Sequence, residues 1–316
     1  MFNMNSEIFE QRREIFLNKL NGKAAIIPSA NLVQHHADCE YPFRQDSNFW
    51  YLTGFDEPNS VALFLSHRPK GERFILFVLP KDVIGEVWNG FRWGFEGAEK
   101  EFKADKAHSI YELKDLLPIY MQGSDEIVFS IGKFPKVEEI VLEIFSKQLE
   151  SRSRVGVGAS AIKSPEIFLN EMRLIKSDFE INRMREAVQI SAEAHELVRE
   201  SIAIKKNERQ IQGLIEGYFL EKGTRGPAYN SIVASGDNAC ILHYTANNSD
   251  LNKGDLLLVD AGCSLSDYYN GDITRTLPIG GKFSKEQKLI YEIVLEAQKK
   301  AIQSAVVGSN SNNVHN

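Results

Sequence analysis

Two carboxylates near the end of the chain stand where ordinary packing does not require them. Asp260 ends the apolar run LLLVDAG, and Asp272 lies inside the β-prone run YYNGDITRTL. Because Ser266 is at the middle of the polar segment between these runs, the pattern predicts an antiparallel hairpin in which Asp260 and Asp272 oppose each other directly. Directly opposed side chains share a face, with Cβ atoms about 5 Å apart. Two carboxylates at that distance repel each other unless a positive charge lies between them.

The simplest partner for this carboxylate pair is one divalent cation, or two. Side chains alternate along a strand, so Thr274 shares the face of Asp272 and can back the site with its hydroxyl. Oxygen ligands suit Mn or Mg, and an additional imidazole would also suit Co or Zn. Either aspartate alone is better explained as a turn or strand-end residue, since Asp is a common turn former. The pair, with His243 upstream, favours a metal site.

His243 lies in the apolar sequence CILHY, just before the polar segment TANNSDLNKGD. A lone histidine in such a context is more often a core residue with satisfied hydrogen bonds. Because it precedes the two carboxylates, it could instead donate a hydrogen bond to a reacting carbonyl or its oxyanion. The residues alone leave both interpretations open.

The composition is that of an ordinary globular protein. Apolar residues make up 43% and charged residues 25% of the 316 residues. The formal net charge of -6 gives no electrostatic case for nucleic acid or an anionic membrane as partner. Three scattered cysteines, Cys39, Cys240 and Cys263, argue against a disulfide framework and a cysteine zinc site. With no bilayer-spanning apolar stretch and no signal-peptide pattern at the start, we predict a cytoplasmic protein.

Strands alternate with helices through residues 1–172, which predicts an α/β domain. The strand predictions cover 24–28, 61–66, 73–80, 126–131 and 154–158. The helix predictions are a first helix that Ser6 can cap and that Asn21-Gly22 closes, and the stretches 109–117 and 136–149. Aromatic side chains cluster around Arg92 in this domain: Trp88, Phe91, Trp93 and Phe95. Packing explains the cluster most simply, and a subunit contact is the alternative, since Trp and Arg are favoured in interfaces.

Residues 173–316 combine two helices, the β-structure that carries the carboxylates, and a final helix. Ser177 and Glu180 have the spacing of a capping box, as do Ser284 and Gln287. Asn207 is predicted to cap the second helix. This order predicts an α+β domain.

Several long motifs resemble those of bacterial Xaa-Pro aminopeptidases (aminopeptidase P), which are pita-bread metallopeptidases. They are YNSIVASGDNACILHY, DLLLVDAG and GDITRTLPIGGKFS in the second domain, and YPFRQDSNFWYLTGFDEP and EVWNGFRWG in the first. The resemblance implies an α/β N-terminal domain followed by an α+β pita-bread (creatinase/aminopeptidase-like) catalytic domain. It also implies manganese-dependent hydrolysis, at two cations, of the bond between an N-terminal residue and a following proline. We expect a peptide partner with proline at its second position, and a homo-oligomer for the intact protein.

The resemblance carries roles over to particular residues. It implies that Asp260 and Asp272 are metal ligands and that His243 contacts the substrate near the scissile bond. Tyr229 and Thr274 are candidates for hydroxyls that orient a carboxylate from behind. Ordinary strand packing explains Tyr229 and Thr274 about equally well.

The family has further metal ligands for which this sequence offers no match. They are a His in a His- and Gly-rich segment and two later Glu residues, and nothing after Asp272 resembles them. Glu286, Glu292 and Glu296 fall on a predicted helix, and the later His315 stands near the end. We therefore predict a truncated pita-bread domain with weak manganese binding and little peptidase activity, because two aspartates cannot saturate two cations.

Two other functions stay open. One is a non-catalytic binding or regulatory homologue that keeps the fold without the chemistry, although the intact motifs around Asp260 and Asp272 argue against it. The other is a prolidase-type dipeptidase of the same superfamily. The extended N-terminal domain argues against a simple methionine aminopeptidase.

Overall fold

The computed structural model describes residues 6–203 and 205–315, apart from the side chain of Val155. The chain forms two compact units, Met1–Ile175 and Lys176–Asn316. Within the described residues, no helix combines the length and the apolar character that crossing a bilayer requires.

The described part of the N-terminal unit is built on one mixed sheet with helices on both faces. Its strands are β1 (Ala24–Pro28), β4 (Val61–Leu65), β5 (Phe74–Val78), β6 (Lys106–Ser109), β7 (Ile127–Val128) and β8 (Ile162–Lys163), in the order β6-β5-β4-β1-β7-β8. A separate small hairpin pairs β2 (Gln34–His36) with β3 (Cys39–Glu40). The helices are α1 (Ser6–Leu20), α2 (Ser47–Thr53), α3 (Val83–Asn89), α4 (Gly94–Lys100), α5 (Leu113–Tyr120), α6 (Pro135–Val155) and α7 (Glu166–Leu174).

Alternation along the strands builds a hydrophobic core on each face of this sheet. Ala62 and Phe64 of β4 join a core with Phe16 of α1, whereas Leu63 and Leu65 pack into the opposite core. Because both faces are covered, the strands read as nearly continuous apolar runs. The predicted α/β class of this domain is confirmed.

One predicted strand of the N-terminal unit is wrong. Residues 154–158 finish α6 and the turn after it, and the edge strand β8 comes later. Gly156 ends the helix in the left-handed conformation (φ 72°), and its N–H donates to Arg152 O. The helical pattern that began near Val137 continues to this glycine C-cap, which overrides the short apolar alternation.

The C-terminal unit has the predicted order of two helices, β-structure and a helix. Its elements are α8 (Asp178–Ser201), α9 (Glu208–Glu221), β9 (Ile232–Ser235), a 3-10 helix (Gly236–Cys240), β10 (Leu256–Asp260), β11 (Thr274–Pro278), α10 (Lys285–Ser304) and α11 (Ser311–His315). The described strands form an antiparallel sheet in the order β11-β10-β9. Leu257 and Val259 of β10 pack on the α8 and α9 side chains, so Leu256, Leu258 and Asp260 face the other way.

The predicted helix starts of this unit are confirmed. Ser177 and Glu180 exchange the two hydrogen bonds of a capping box at α8, and Ser284 and Gln287 do the same at α10. The Asn207 side chain accepts from Arg209 N at the start of α9. These short-range hydrogen bonds depend on sequence spacing alone, which is why the sequence predicts them well.

Candidate metal centre

The strand pairing brings Asp260 and Asp272 to one face, although not directly opposite each other. Asp260 pairs with Thr274, and Asp272 lies just before β11 begins. The predicted direct opposition is therefore wrong, because the connection is centred one residue later than Ser266. That difference moves the pairing by two residues, which preserves the face of each side chain and makes the aspartates diagonal neighbours.

The Tyr229 hydroxyl lies between the two carboxylates. It is 2.6 Å from Asp260 Oδ1 and 3.0 Å from Asp272 Oδ1. Ala228 N donates to Gly262 O at 2.8 Å and so fixes the backbone that presents Tyr229. Burial raises the pKa of Tyr229, and the hydrogen bonds and negative charges of both aspartates raise it further. A neutral phenol therefore stands where two negative charges converge.

Two glycines allow close approaches around the carboxylates. A Cβ on Gly262 would lie 1.9 Å from Gly271 O, and a Cβ on Gly271 would lie 2.2 Å from Ser191 Oγ of α8. Ala261 N donates to Ile273 O at 3.1 Å in the same stretch. Only glycine fits at such a backbone approach. The distance between the segments that bear Asp260 and Asp272 therefore depends on Gly262, and the packing of the second segment against α8 depends on Gly271.

Helix α8 supports the segments from behind through Ser191 and His195, neither of which was predicted as a site residue. Ser191 Oγ accepts from Cys263 N at 3.0 Å, and His195 Nε2 lies 3.0 Å from Ala261 O. His195 is only 5% exposed, and burial lowers the pKa of its imidazole. The sequence spacing could have indicated them, because Ala187, Ser191 and His195 recur every four residues and so share one side of α8. The thiol of Cys263 is buried and forms no disulfide.

His243 and Thr274 are exposed residues, one after the 3-10 helix and the other at the start of β11. His243 sits in a turn after the 3-10 helix and is exposed, so the interpretation as a core histidine is wrong. Thr274 opposes Asp260 and is also exposed. Within the described ranges, no hydrogen bond or ion pair joins either residue to Asp260 or Asp272. The predicted contact of His243 with substrate and the predicted supporting role of Thr274 remain predictions.

The chemistry of the carboxylate pair fits a divalent cation. Two carboxylates on one face are suitable oxygen ligands for a hard divalent cation. In residues 6–203 and 205–315, however, no three His, Cys, Asp or Glu side chains lie close enough together to hold a metal ion. The described residues therefore do not form a complete metal site.

Comparison with known proteins decides the family. The Xaa-Pro aminopeptidase of Haemophilus influenzae is 43% identical over 310 residues, covering 98% of this chain and 69% of the relative. The Xaa-Pro aminopeptidase of Escherichia coli is 37% identical over 305 residues, covering 96% of this chain and 69% of the relative. The chain belongs to the Xaa-Pro aminopeptidase family.

Family models and a solved structure agree with this assignment. Residues 9–129 match the aminopeptidase P N-terminal domain, and residues 182–316 match metallopeptidase family M24. The structure of Pseudomonas aeruginosa aminopeptidase PepP aligns with a TM-score of 0.91 at 35% identity, covering 100% of this chain and 71% of that chain. The predicted resemblance, the fold class with its pita-bread domain, and the metallo-aminopeptidase class are confirmed. Membership of a metallopeptidase family implies a divalent metal cofactor.

Proposed function

We propose that this chain serves the manganese-dependent release of an N-terminal residue from peptides with proline at the second position. The observation that carries the proposal is the convergence of Asp260 and Asp272 on one Tyr229 hydroxyl. Convergent carboxylates backed by a hydrogen-bonding partner are the arrangement expected of metal ligands. The similarity to Xaa-Pro aminopeptidases supplies the reaction class.

Each site residue has a role in this proposal. Asp260 and Asp272 would hold the cation from one face, and Tyr229 and Thr274 would orient their oxygens. His243 would donate a hydrogen bond to the substrate carbonyl or to its tetrahedral intermediate. A bound divalent cation supplies Lewis acidity and a water that ionises near neutral pH.

We also propose that residues 1–316 alone bind manganese weakly and hydrolyse peptides poorly. A two-metal hydrolase needs its cations fixed about 3.5–4 Å apart. Two carboxylates cannot impose that spacing, and the described residues place no third His, Cys, Asp or Glu beside them. Further ligands must come from outside these residues for full activity.

The cysteines, the exposed aromatic side chains and the net charge support proposals about the compartment and the partners of the protein. Free Cys39, Cys240 and Cys263 support a reducing compartment such as the cytoplasm. Trp88 and Phe91 are 85% and 62% exposed, which supports a homo-oligomer built through such aromatic side chains. The formal net charge of -6 supports a peptide partner over nucleic acid.

A peptidase assay tests this function. The first protein is the 316-residue chain, and the second continues it with the residues of the Haemophilus influenzae relative that follow the aligned region. We expect the second protein to release the first residue from an X-Pro peptide only with Mn²⁺, and to leave an X-Ala peptide intact. Asp260→Ala in the second protein should abolish release, and the 316-residue chain should remain near background.

Other outcomes would change the proposal. A folded second protein that cleaves neither peptide would favour a non-catalytic binding homologue. Cleavage restricted to X-Pro dipeptides would favour a prolidase. Robust Mn²⁺-dependent release by the 316-residue chain alone would contradict the proposed weakness of its site. Reading the DNA after the codon for Asn316 in all three frames would show whether His- and Glu-bearing motifs follow.

A further inference from the structure

A carboxylate with no exposed surface lies at the start of α9. Glu208 Oε1 accepts from Ser235 N at 2.7 Å, from Ser235 Oγ at 2.7 Å and from Asn238 Nδ2 at 3.1 Å. Its Oε2 accepts from the Tyr244 hydroxyl at 2.8 Å and from Ser249 N at 2.9 Å. Glu208 is 0% exposed. A buried charge is tolerated only when such a set of donors satisfies it.

These donors lie on both sides of His243 along the chain. Asn238 precedes the turn that carries His243, and Tyr244 directly follows His243. Between them, Ile241 N donates to Asn238 O at 3.0 Å and Tyr244 N donates to Ile241 O at 3.3 Å. Two consecutive turns therefore connect Asn238 to Tyr244. Tyr244 is 9% exposed whereas its neighbour His243 is exposed, so a buried anchor directly follows the outward-facing imidazole.

The first turns of α9 hold the rest of the segment. Arg209 donates to Ala246 O at 2.6 Å. The buried Asn247 accepts from Val233 N at 2.9 Å and donates to Gln212 Oε1 at 3.2 Å. The backbone after His243 is thus fixed to the same helix as Glu208.

Glu208 keeps its charge in this environment. Burial alone would raise the pKa of Glu208, but the hydrogen bonds from Ser249, Ser235 and Asn238 outweigh burial and lower it. Its position in the first turn of α9 also favours a negative charge. An ionised acceptor forms stronger hydrogen bonds than a neutral one.

We propose that Glu208 is a positioning residue for His243, fixing the 236–249 segment so that its backbone presents the imidazole at the surface of the C-terminal unit. The proposal rests on the proposed function for the purpose that His243 serves. The contacts that position His243 are independent of metal and peptide. No role in proton transfer or metal binding is assigned to Glu208.

NMR of the isotope-labelled 316-residue chain tests the proposal, with the His243 ring signal assigned by His243→Gln. Glu208→Gln replaces an acceptor with an N–H₂ group that faces backbone donors, and Tyr244→Phe removes one donor hydroxyl. We expect both variants to shift or split the His243 signal at temperatures where the fold is intact. In Glu208→Gln, amide exchange at Tyr244 and Ser249 should accelerate about tenfold, the effect of losing a charged hydrogen bond.

Tyr218→Phe is the matched control, because Tyr218 lies on the same helix and donates to Glu193 at 2.8 Å. It should leave the His243 signal and these amides unchanged. If Glu208→Gln does not fold, Tyr244→Phe still decides. A folded Tyr244→Phe or Glu208→Gln chain with an unchanged His243 signal would overturn the proposal. Displaced His243 signals with no peptide cleavage in the assay above would instead leave the positioning standing and remove the proposed function.

Discussion

At the scale of single residues, Gly262 determines how closely the two carboxylate-bearing segments can approach. The contact that a Cβ on Gly262 would make is with backbone, at 1.9 Å from Gly271 O. Side-chain rotation cannot relieve a clash between backbone atoms. Gly262 is therefore as necessary to the arrangement as the aspartates themselves.

Gly262→Ala should destabilise the C-terminal unit by about 2 kcal/mol or more, because the added methyl group forces the paired segments apart. Gly213→Ala is the control, since Gly213 lies on α9 with open space around it. That change should be neutral or stabilising by up to about 1 kcal/mol. Denaturant unfolding followed by NMR signals of the C-terminal unit measures both. Equal midpoints for the two variants would contradict the close approach.

The sequence predicted which side chains lie together better than how their segments pair. Asp260, Asp272 and Tyr229 come together in the structure. The pairing of Asp260 with Thr274 was missed, because turn composition locates a connection without fixing its centre. Of the two interpretations of His243, the core histidine is wrong. Its apolar neighbours favoured that interpretation, but Ile241 and Leu242 are themselves 55% and 90% exposed in the turn.

At the scale of elements, helix starts were predictable and strand ends were less so. Local hydrogen bonds set the starts of α8, α9 and α10. Strand limits depend instead on distant partners, as the late start of β11 after Asp272 shows. The α10 helix is a special case, because it has a capping box yet buries no side chain. Its first turn therefore depends on the cap more than on packing.

Ser284→Ala should loosen the first turn of α10. Ser284 Oγ accepts from Gln287 N at 3.1 Å, and Gln287 Oε1 accepts from Ser284 N at 2.8 Å. Losing a cap costs about 1 kcal/mol, so amide exchange at Gln287 and Lys288 should rise about fivefold. Ser304→Ala at the other end of the helix is the control. Equal exchange in the two variants would contradict a dependence on the cap.

At the scale of the whole molecule, both units expose large apolar side chains. The described C-terminal unit exposes Leu289, Ile290, Ile293 and Val294 of α10 by 58–62%. The N-terminal unit covers both faces of its sheet but exposes Trp88 by 85% and Phe91 by 62%. Partly buried titratable groups should link the stability of the N-terminal unit to pH, and among them His108 bonds to the Tyr120 hydroxyl at 2.7 Å.

Acid should destabilise the N-terminal unit through His108. Burial lowers the pKa of His108 in the fold, and the charge of Lys106 lowers it further. The unfolded chain therefore takes up this proton first, below about pH 6.5, and stability falls as pH drops toward the folded pKa. His108→Gln should lose less stability than the parent between pH 8 and 5.5, as measured by denaturant unfolding with tryptophan fluorescence. The same pH dependence in both proteins would contradict this origin.

Joint binding of a divalent cation by Asp260 and Asp272 is open to a titration of the 316-residue chain with Mn²⁺, followed by electron paramagnetic resonance of free Mn²⁺. We expect weak binding that Asp260→Asn and Asp272→Asn each weaken by at least about tenfold. Asp237→Asn, which changes an exposed carboxylate of the same unit, should leave binding unchanged. Binding that survives both Asp260→Asn and Asp272→Asn would show that these carboxylates do not hold the cation.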